Sequence, residues 1–551
     1  MARQLKIVMA QVNLLVGAIQ ANTNTVIAAA KEAIEVHNAD LIAFPELTLT
    51  GYPPEDLLLR PSNKPRIEKA LKKLTEASLN IYLVVGYPHS QGDSLFNALS
   101  VIKSGNILAT YHKQSLPNYQ VFDERRYFSA GSEACVTDIN GVQVAFTICE
   151  DIWEEGPVLQ ARDAGARLLV NINASPYHLN KISERQDLLK RRALSGNMPI
   201  VYTNLVGGQD ELVFDGASMV VDCNGNCMAM APAFSEGLFP VDLGIQSEPD
   251  IKVNVTRQQI APQQSLEDDV YRALVLGVRD YVNKNNFKGV VIGLSGGIDS
   301  ALTLSVAVDA LGSERVRAVM MPFHYTSKIS LEAAREQANT LNVDYTVVPI
   351  AKIYEAFLDA LEQEFVDFEV DVSEQNIQAR CRGVLLMAIS NKKGLLVLTT
   401  GNKSEIAVGY ATLYGDMAGG FDVLKDVSKT MVYRLANYRN NNYTTPAKEI
   451  IPSVVINRPP SAELAPDQVD QDSLPPYDEL DQILELYVEQ DQSVDGIIAK
   501  GFDEVVVRKV LRLVDLNEYK RRQSPIGVRL TRRGFGRDRR YPITNAWELD
   551  D

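Results

Sequence analysis

An apolar run, Val290-Val291-Ile292-Gly293-Leu294, empties into Ser295-Gly296-Gly297-Ile298-Asp299-Ser300 and then into a run of good helix formers. No other stretch constrains the fold so tightly, because it spells a buried strand, a tight loop and a helix start. Paired glycines let backbone N–H groups approach an anion with no Cβ in the way. Ser295 and Ser300 add hydroxyl donors, and the helix N-terminus adds partial positive charge. The loop is therefore sized and polarised for phosphate, where a plain glycine turn would need none of these donors. Asp299 is placed either to cap the helix or to hold Mg2+ against the phosphates. The Gly-x-x-x-x-Gly-Lys-Ser/Thr spacing of a Walker loop is absent.

A chain of 551 residues is too long for one ordinary core, so two large domains are expected. A formal net charge of −15 argues against a nucleic-acid partner. No long apolar region follows the N-terminus and no run of about 18 apolar residues occurs, so neither a signal peptide nor a membrane span is expected. The five cysteines are scattered, which fits a reducing, cytoplasmic location. Cys223 and Cys227 flank Asn224-Gly225-Asn226 and read as the two sides of a hairpin turn; no second Cys/His pair lies close by in sequence to complete a metal site.

Residues 1–245 alternate short apolar strands (Ile7–Ala10, Leu41–Phe44, Ile81–Val85, Val142–Ile148, Leu168–Ile172) with helical segments, an α/β domain. Residues 246–264, with Pro249, Pro262 and several Gln, read as a linker. From Ser265 to Asp551 a second α/β domain follows, with strands at Val290–Leu294, Val316–Met320, Tyr345–Pro349 and Leu395–Thr399; helices between them imply a parallel sheet with ligands at the strands' carboxyl ends. Residues 440–475 read as a long functional loop. The tail from Tyr519 to Tyr541 is strongly basic and reads as an anion site or a subunit contact.

In the first domain Phe44-Pro45-Glu46, Tyr111-His112-Lys113 and Phe146-Thr147-Ile148-Cys149-Glu150-Asp151 each put a reactive side chain after a strand. A Glu, Lys and Cys set can run amide hydrolysis: the thiolate attacks the carbonyl, the carboxylate takes the thiol proton, and the ammonium stabilises the oxyanion. A free thiol titrates near ~8.5, so it needs such neighbours for activation. In this order and context the three segments resemble the nitrilase superfamily. That resemblance implies an αββα sandwich with Glu46, Lys113 and Cys149 as the catalytic triad, Glu124 as an additional carboxylate, and His112 in a packing role. It further implies that Tyr119, Ser175 and Lys181 hold glutamine, with Lys181 suited to the α-carboxylate.

In the second domain the Ser295–Ser300 loop resembles the pyrophosphate loop of ATP pyrophosphatases. Met321-Pro322-Phe323-His324-Tyr325-Thr326-Ser327, Glu374-Gln375-Asn376-Ile377-Gln378-Ala379-Arg380 and Thr399-Thr400-Gly401-Asn402-Lys403-Ser404-Glu405 extend the likeness to NAD+ synthetases, with the nitrilase-like half fused ahead as in their glutamine-dependent branch. A Rossmann-like parallel sheet is implied. So is a two-stage reaction. ATP adenylates the carboxylate of deamido-NAD, releasing diphosphate, and ammonia freed from L-glutamine and channelled internally then displaces AMP. Carried over residue by residue, ATP falls on Gly293, Leu294, Ser295, Gly296, Gly297, Ile298, Asp299, Ser300 and Thr400, and deamido-NAD on Asn376, Glu405 and Lys520. Mg2+ falls on Asp299 and Glu405. Arg380 or Arg382 fills one further place. One departure stands out: ammonia-dependent members carry a Lys where this chain has Leu413, which leaves Lys425, Lys429 or Lys520 to supply the charge. The long loop is expected to fold over the acceptor and exclude water, the basic tail to meet the dinucleotide phosphates, and the chain to form a homo-oligomer.

Other amidotransferases with pyrophosphate loops carry different glutaminase domains or a sulfur-handling Cys pair, and here only Cys381 lies in the second half. A non-catalytic scaffold and a stand-alone amidase with a nucleotide sensor are the remaining alternatives. The intact Glu46, Lys113, Cys149, Asp299 and Glu405 argue against the scaffold.

Overall fold

The computed structural model describes residues 3–246, 251–442, 449–465, 470–472 and 474–547. It divides into two compact units, Met1–Gln264 and Ser265–Asp551.

The strands of the first unit are β1 (Arg3–Gln11), β2 (Leu41–Ala43), β3 (Tyr82–Gln91), β4 (Ser94–Lys103), β5 (Asn106–His112), β6 (Cys135–Ile139), β7 (Val142–Ile148), β8 (Leu168–Asn173), β9 (Ile200–Asn204), β10 (Val206–Gln209), β11 (Leu212–Asp215), β12 (Met219–Val221), β13 (Cys227–Met230), β14 (Gly237–Gln246) and β15 (Lys252–Val255). They build a seven-stranded sheet, β15-β14-β1-β2-β3-β4-β5, and a six-stranded sheet, β13-β12-β9-β8-β7-β6, with β10 and β11 as a separate hairpin. In each large sheet the middle is parallel (β1-β2-β3 and β7-β8-β9) and the flanks are antiparallel.

Period-2 alternation assigns the layers. Leu5, Ile7 and Met9 of β1 join Val144 and Phe146 of β7 and Val170 of β8 in one buried cluster between the sheets. Val8 and Ala10 face the other way, onto Val26 and Ala30 of α1 (Ile19–Glu35) and Ile67 and Leu74 of α2 (Asn63–Glu76). Ala145 and Leu169 face Val158 of α3 (Gly156–Asp163) and Leu188 and Leu189 of α4 (Lys181–Gly196). The layering is the αββα sandwich that the resemblance implies. Cys223 and Cys227 sit at the β12–β13 turn, as the hairpin reading expects.

The stretch expected as a linker differs. Residues 252–255 form β15, antiparallel to β14, and Ile260 bridges Met230, so this segment is part of the first unit's sheets. Its alternation, Lys252 and Asn254 out, Val253 and Val255 in, is an edge strand with one buried face.

In the second unit β16 (Val290–Gly293), β17 (Val316–Met320), β18 (Asp344–Val347), β19 (Leu396–Thr399) and β20 (Phe421–Asp422) form an all-parallel sheet in the order β18-β17-β16-β19-β20. The helices that matter here are α5 (Leu266–Lys284), α6 (Ile298–Leu311), α7 (Lys328–Thr340), α8 (Ala351–Phe365), α9 (Val372–Lys393), α10 (Lys403–Val408) and α11 (Lys429–Asn442). Val291, Val319 and Val397 of the sheet pack on Ile377 and Cys381 of α9 and on α8, while α5, α6 and α11 pack together. Strand order reverses between β16 and β19, so a crevice opens at their carboxyl ends, the place such sheets use for ligands. Among the described residues no helix is long and apolar enough to cross a membrane.

Candidate active sites

In the first unit three strand ends converge. Glu46 lies just past β2, Lys113 directly follows β5 and Cys149 directly follows β7. The Glu46 and Lys113 side chains are fully buried. Lys113 Nζ lies 2.6 Å from Glu46 Oε1 and donates to both Glu124 oxygens at 2.8 and 2.9 Å. Asn97 carries part of this geometry: its carbonyl takes the Lys113 N–H at 2.8 Å, and its amide donates to Glu46 Oε1 at 2.7 Å. The Ala174 N–H holds the other Glu46 oxygen at 3.2 Å. Cys149 opens a short 3-10 turn with φ 44°, a left-handed conformation uncommon away from glycine. Asp151 secures that turn: its carboxylate accepts from Ile148 N, Tyr111 Oη, Gln114 N and Ser115 N, tying the cysteine turn to the Lys113 segment.

The electrostatics suit a resting thiol. Burial first, then the Glu46 charge, push the Cys149 thiol well above its ordinary range, and Lys113 pulls the other way. Burial opposes the Lys113 ammonium, but Glu124 and Glu46 outweigh it and raise its pKa. Burial lifts Glu124 to about 7 against the pull of Lys113. Glu124 also raises the thiol. Glu124→Gln is therefore expected to lower the pH midpoint of Cys149 alkylation by iodoacetamide, by up to about one unit, read from the alkylation rate across pH 7 to 10. An unchanged or raised midpoint would contradict this charge balance. His112 stacks on Phe96 at 4.1 Å and hydrogen-bonds His89 at 2.8 Å, the packing role expected of it.

Tyr119, Ser175 and Lys181 surround the cysteine turn unequally. Tyr119 donates to Glu150 Oε1 at 2.9 Å, next to Cys149 in the chain. Lys181 Nζ lies 4.1 Å from the Trp153 ring centre and 3.4 Å from Glu184, and burial lowers its pKa to about 8. Ser175 is buried and held by Arg185. Glu150, Asp151, Asn97 and Arg185 have no role in the sequence reading. Glu150 and Asp151 had a signal in standing beside Cys149, whereas Asn97 and Arg185 gain meaning only from strand pairing and packing.

In the second unit β16 ends at Gly293 and α6 begins at Ile298, so the loop between them lies across the sheet's carboxyl edge. Its own donors shape it: Gly297 N donates to Ser295 Oγ at 3.2 Å, Ser295 N to Ser300 Oγ at 3.3 Å, and Ser300 Oγ to the Gly297 carbonyl at 3.0 Å. Gly296 takes φ +81°, and a Cβ there would meet the Ser330 carbonyl at 2.3 Å. A cavity of about 270 Å3 opens above the loop, lined by Ser295, Asp299, Thr400, Glu405, Arg382 and Lys429 among others. Gly293, Leu294, Gly297, Ile298 and Ser300 also line it, while Gly296 backs onto Ser330.

Lys429 Nζ lies 2.6 Å from Asp299 Oδ2 and 2.9 Å from Glu405 Oε1. Asn402 donates to Asp299 Oδ1 at 2.9 Å. Burial raises Glu405 to about 7 against the pull of Lys429. Burial opposes the Lys429 ammonium, but Asp299 and Glu405 outweigh it and raise its pKa. Two carboxylates converging at the phosphate loop are the hard donors Mg2+ uses when phosphate completes its shell, so the residues fit that ion. Among the described residues no cluster of three or more His, Cys, Asp or Glu forms a metal site by itself.

Of the three lysines that the Leu413 departure left open, Lys429 alone lines this cavity; Lys425 donates to the Pro525 carbonyl and Lys520 to the carbonyls of Gly409 and Ala411. Asn376 accepts from Thr412 Oγ1 at 2.9 Å and, like Lys520, stands outside the cavity lining. Arg382 reaches the cavity and donates to the Met321 carbonyl, whereas Arg380 is turned to the Leu413 carbonyl. The 458–464 part of the long loop lines the cavity: Arg458 donates to the Gly296 carbonyl at 2.8 Å, and Glu463 takes the Ser327 and Ser330 hydroxyls at 2.9 and 2.7 Å. Residues 443–448, 466–469 and 473 of the expected 440–475 loop lie outside the described residues. Much of the basic tail is spent internally: Arg529 pairs with Asp538, Arg533 with Asp491, Arg521 with Glu518, and Arg539 with Asp515 and Glu518. These arginines hold the C-terminal segment against carboxylates of its own unit, a use beside the anion site or subunit contact that the sequence suggests.

Known proteins match both halves. Residues 2–248 match the carbon-nitrogen hydrolase family and residues 270–524 the NAD synthase family. The chain is 49% identical over 550 residues to a glutamine-dependent NAD(+) synthetase of Acinetobacter baylyi, covering 100% of both, and 46% identical over 572 residues to one of Aquifex aeolicus, covering 98% of this chain and 100% of that one. It superposes with TM-score 0.80 and 46% identity, covering 100% of each chain, on a glutamine-dependent NAD+ synthetase of Acinetobacter baumannii solved with adenosine diphosphate. A synthetase from Cytophaga hutchinsonii, 21% identical, shares the fold with TM-score 0.84 and covers 99% of this chain and 98% of that one.

Proposed function

The chain belongs to the glutamine-dependent NAD(+) synthetases, and on that premise we propose which of its residues carry each half of the reaction. The supporting observation is common to both units: one buried lysine lies between two carboxylates, Lys113 between Glu46 and Glu124 next in the site to Cys149, and Lys429 between Asp299 and Glu405 at the phosphate loop.

Glutamine binds in residues 1–245 with its carboxamide over Cys149. Glu46 takes the thiol proton as sulfur attacks the carbonyl carbon, and Lys113 stabilises the oxyanion. Glu46 then returns the proton to the leaving nitrogen, and ammonia departs. Water cleaves the thioester with Glu46 as base, and glutamate leaves. Lys181 is the partner for the glutamine carboxylate, Glu150 with Tyr119 the partner for its ammonium, and Ser175 completes the head site.

In residues 265–551 the Ser295–Ser300 loop and the α6 N-terminus hold the phosphates of ATP, with Thr400 at the facing strand end. The carboxylate of deamido-NAD attacks the α-phosphorus and diphosphate leaves. Ammonia then attacks the acyl carbon and AMP leaves, giving NAD. Asp299 and Glu405 are the residues to hold Mg2+, which when bound neutralises phosphate charge. Lys429 adds a fixed cation to the same phosphates, and the 458–464 strand of loop keeps water from the mixed anhydride. Asn376 and Lys520 contact deamido-NAD. The protein acts in the cytoplasm as a homo-oligomer.

The test is partial turnover. Given ATP, Mg2+ and deamido-NAD but no nitrogen source, the protein is expected to release diphosphate and hold an acyl-adenylate. Xanthylate in place of deamido-NAD is expected to give neither. Diphosphate release indifferent to the acceptor would defeat the assignment.

A further inference from the structure

Arg185 of α4 and Asp215 at the end of β11 are both fully buried. Arg185 Nη1 donates to both Asp215 oxygens at 2.8 Å. The rest of the guanidinium is spent on Ser175 and its neighbour: Nη2 donates to the Ser175 carbonyl at 2.8 Å, to Ser175 Oγ at 3.2 Å and to the Pro176 carbonyl at 3.5 Å, and Nε donates to Ser175 Oγ at 3.3 Å. Asn204 fixes the same residue from the other side, its Oδ1 taking the Ser175 N–H at 2.9 Å and its Nδ2 donating to the Ser175 carbonyl at 3.3 Å. The preceding residue, Ala174, donates to Glu46, so this clamped segment adjoins the triad.

A serine hydroxyl has two acceptor lone pairs and one proton. Arginine is always protonated and only donates. With Nε and Nη2 both directed at Oγ, the acceptor side of Ser175 is filled and its proton is turned away from Arg185. Ser175 lowers the Tyr202 pKa that burial raises, so the two hydroxyls stand near each other, but no hydrogen bond of good geometry joins them. The proton is left for a ligand.

We infer that Arg185, held by Asp215, fixes Ser175 as a hydrogen-bond donor, so that Ser175 reads an acceptor oxygen of glutamine and cannot accept from its ammonium. Arg185 is thus a positioning residue that sets substrate affinity through another side chain. The inference rests on the glutaminase reading of this unit. A buried ion pair is weak evidence for stability, since well-packed apolar residues often serve as well; orienting a hydroxyl is a task apolar residues cannot do. Lysine cannot replace Arg185, because one ammonium cannot reach Asp215, the Ser175 carbonyl and Ser175 Oγ together in fork geometry.

The experiment compares the full-length protein with Arg185→Lys, Ser175→Ala and the double variant, measuring KM and kcat for glutamate release. Iodoacetamide alkylation of Cys149 and ammonia-driven synthesis report on the folded state. For Arg185→Lys the expected result is a KM for glutamine raised about 10- to 100-fold with kcat within about threefold and an alkylation rate like that of the unaltered protein. In the Ser175→Ala background the same change is expected to add nothing to KM. An unchanged KM, an equal KM increment without the serine hydroxyl, or parallel losses of kcat and alkylation with KM constant would each overturn the inference. If Arg185→Lys does not fold, Asp215→Asn loosens the same clamp, and its smaller KM rise is likewise expected to vanish with Ser175→Ala; a rise that persists there overturns the inference. Failure of the underlying reading shows differently, as unaltered protein that releases no glutamate from glutamine.

Discussion

Cys149→Ala is expected to abolish NAD synthesis from glutamine, by on the order of 10^4-fold or more, while synthesis from added ammonium salts continues near the unaltered rate. The first half follows from the site's chemistry. Glu46 and Lys113 supply a base and a cation but not the nucleophile, and a Glu46-activated water would have to replace a covalent route that splits one hard step into two. The second half follows from the division of the chain. Asp299, Glu405, Lys429 and the phosphate loop belong to residues 265–551, and the hydrogen bonds that place Asp299 and Glu405 come from Asn402 and Lys429 of that same unit. The structural cost of the substitution is small: Cys149 is buried at φ 44°, alanine has the same Cβ and meets the same backbone requirement, and the void left is one atom. The measurements are glutamate release, NAD formation with glutamine and NAD formation with ammonium. Glutamine-driven turnover that survives in Cys149→Ala would remove the nucleophile assignment. Loss of both activities would mean that the substitution reaches the second unit.

Chain-local features of this protein were legible, and chain-distant ones were not. Glu46, Lys113, Cys149 and Ser295–Ser300 each stand within a few residues of a strand end; β2, β7 and β16 are apolar runs whose ends can be read directly, while β5 is mixed and mostly exposed and shows in the sequence only through its Tyr111-His112-Lys113 end. Strand β15 escaped because it is short, half polar and framed by proline and glutamine, so alternation over Lys252–Val255 carries too few residues to outweigh the turn signals. The clamps escaped for another reason. Asp215 is 30 residues from Arg185, Asn97 is 51 from Glu46, and Lys429 is 130 from Asp299; no local pattern encodes such pairs. The internal pairing of the tail arginines was illegible because charge counting does not see burial: Arg521, Arg529 and Arg539 are buried against carboxylates of their own unit.

Asp299→Asn is expected to abolish synthesis from both nitrogen sources, by about 10^3-fold, and Asp299→Ala to do the same. The two variants separate charge from shape. Asn keeps an oxygen for the Asn402 amide, now 2.9 Å from Asp299 Oδ1, but cannot balance the Lys429 ammonium or offer an anionic donor to Mg2+. Ala removes both and leaves Lys429, almost wholly buried, with Glu405 as its remaining carboxylate contact. A buried cation stripped of one partner costs more than the helix-terminal charge term of about 0.3–1 kcal/mol, so Ala is also expected to lower the melting temperature more than Asn. The structure corrects the capping role, because α6 begins at Ile298 with Gly297 at its N-cap and no side chain caps it; if Asp299 served only to fix the helix start through Asn402, Asn would keep that hydrogen bond and preserve activity with either nitrogen source. A purely structural role and a role at the phosphates thus make opposite forecasts for one substitution. Intact iodoacetamide alkylation of Cys149 in Asp299→Asn would show that the first unit stays folded. Under that control, near-normal ammonia-driven synthesis would leave the aspartate a purely structural residue and strip Lys429 and Glu405 of the partner on which their joint role at the phosphates depends.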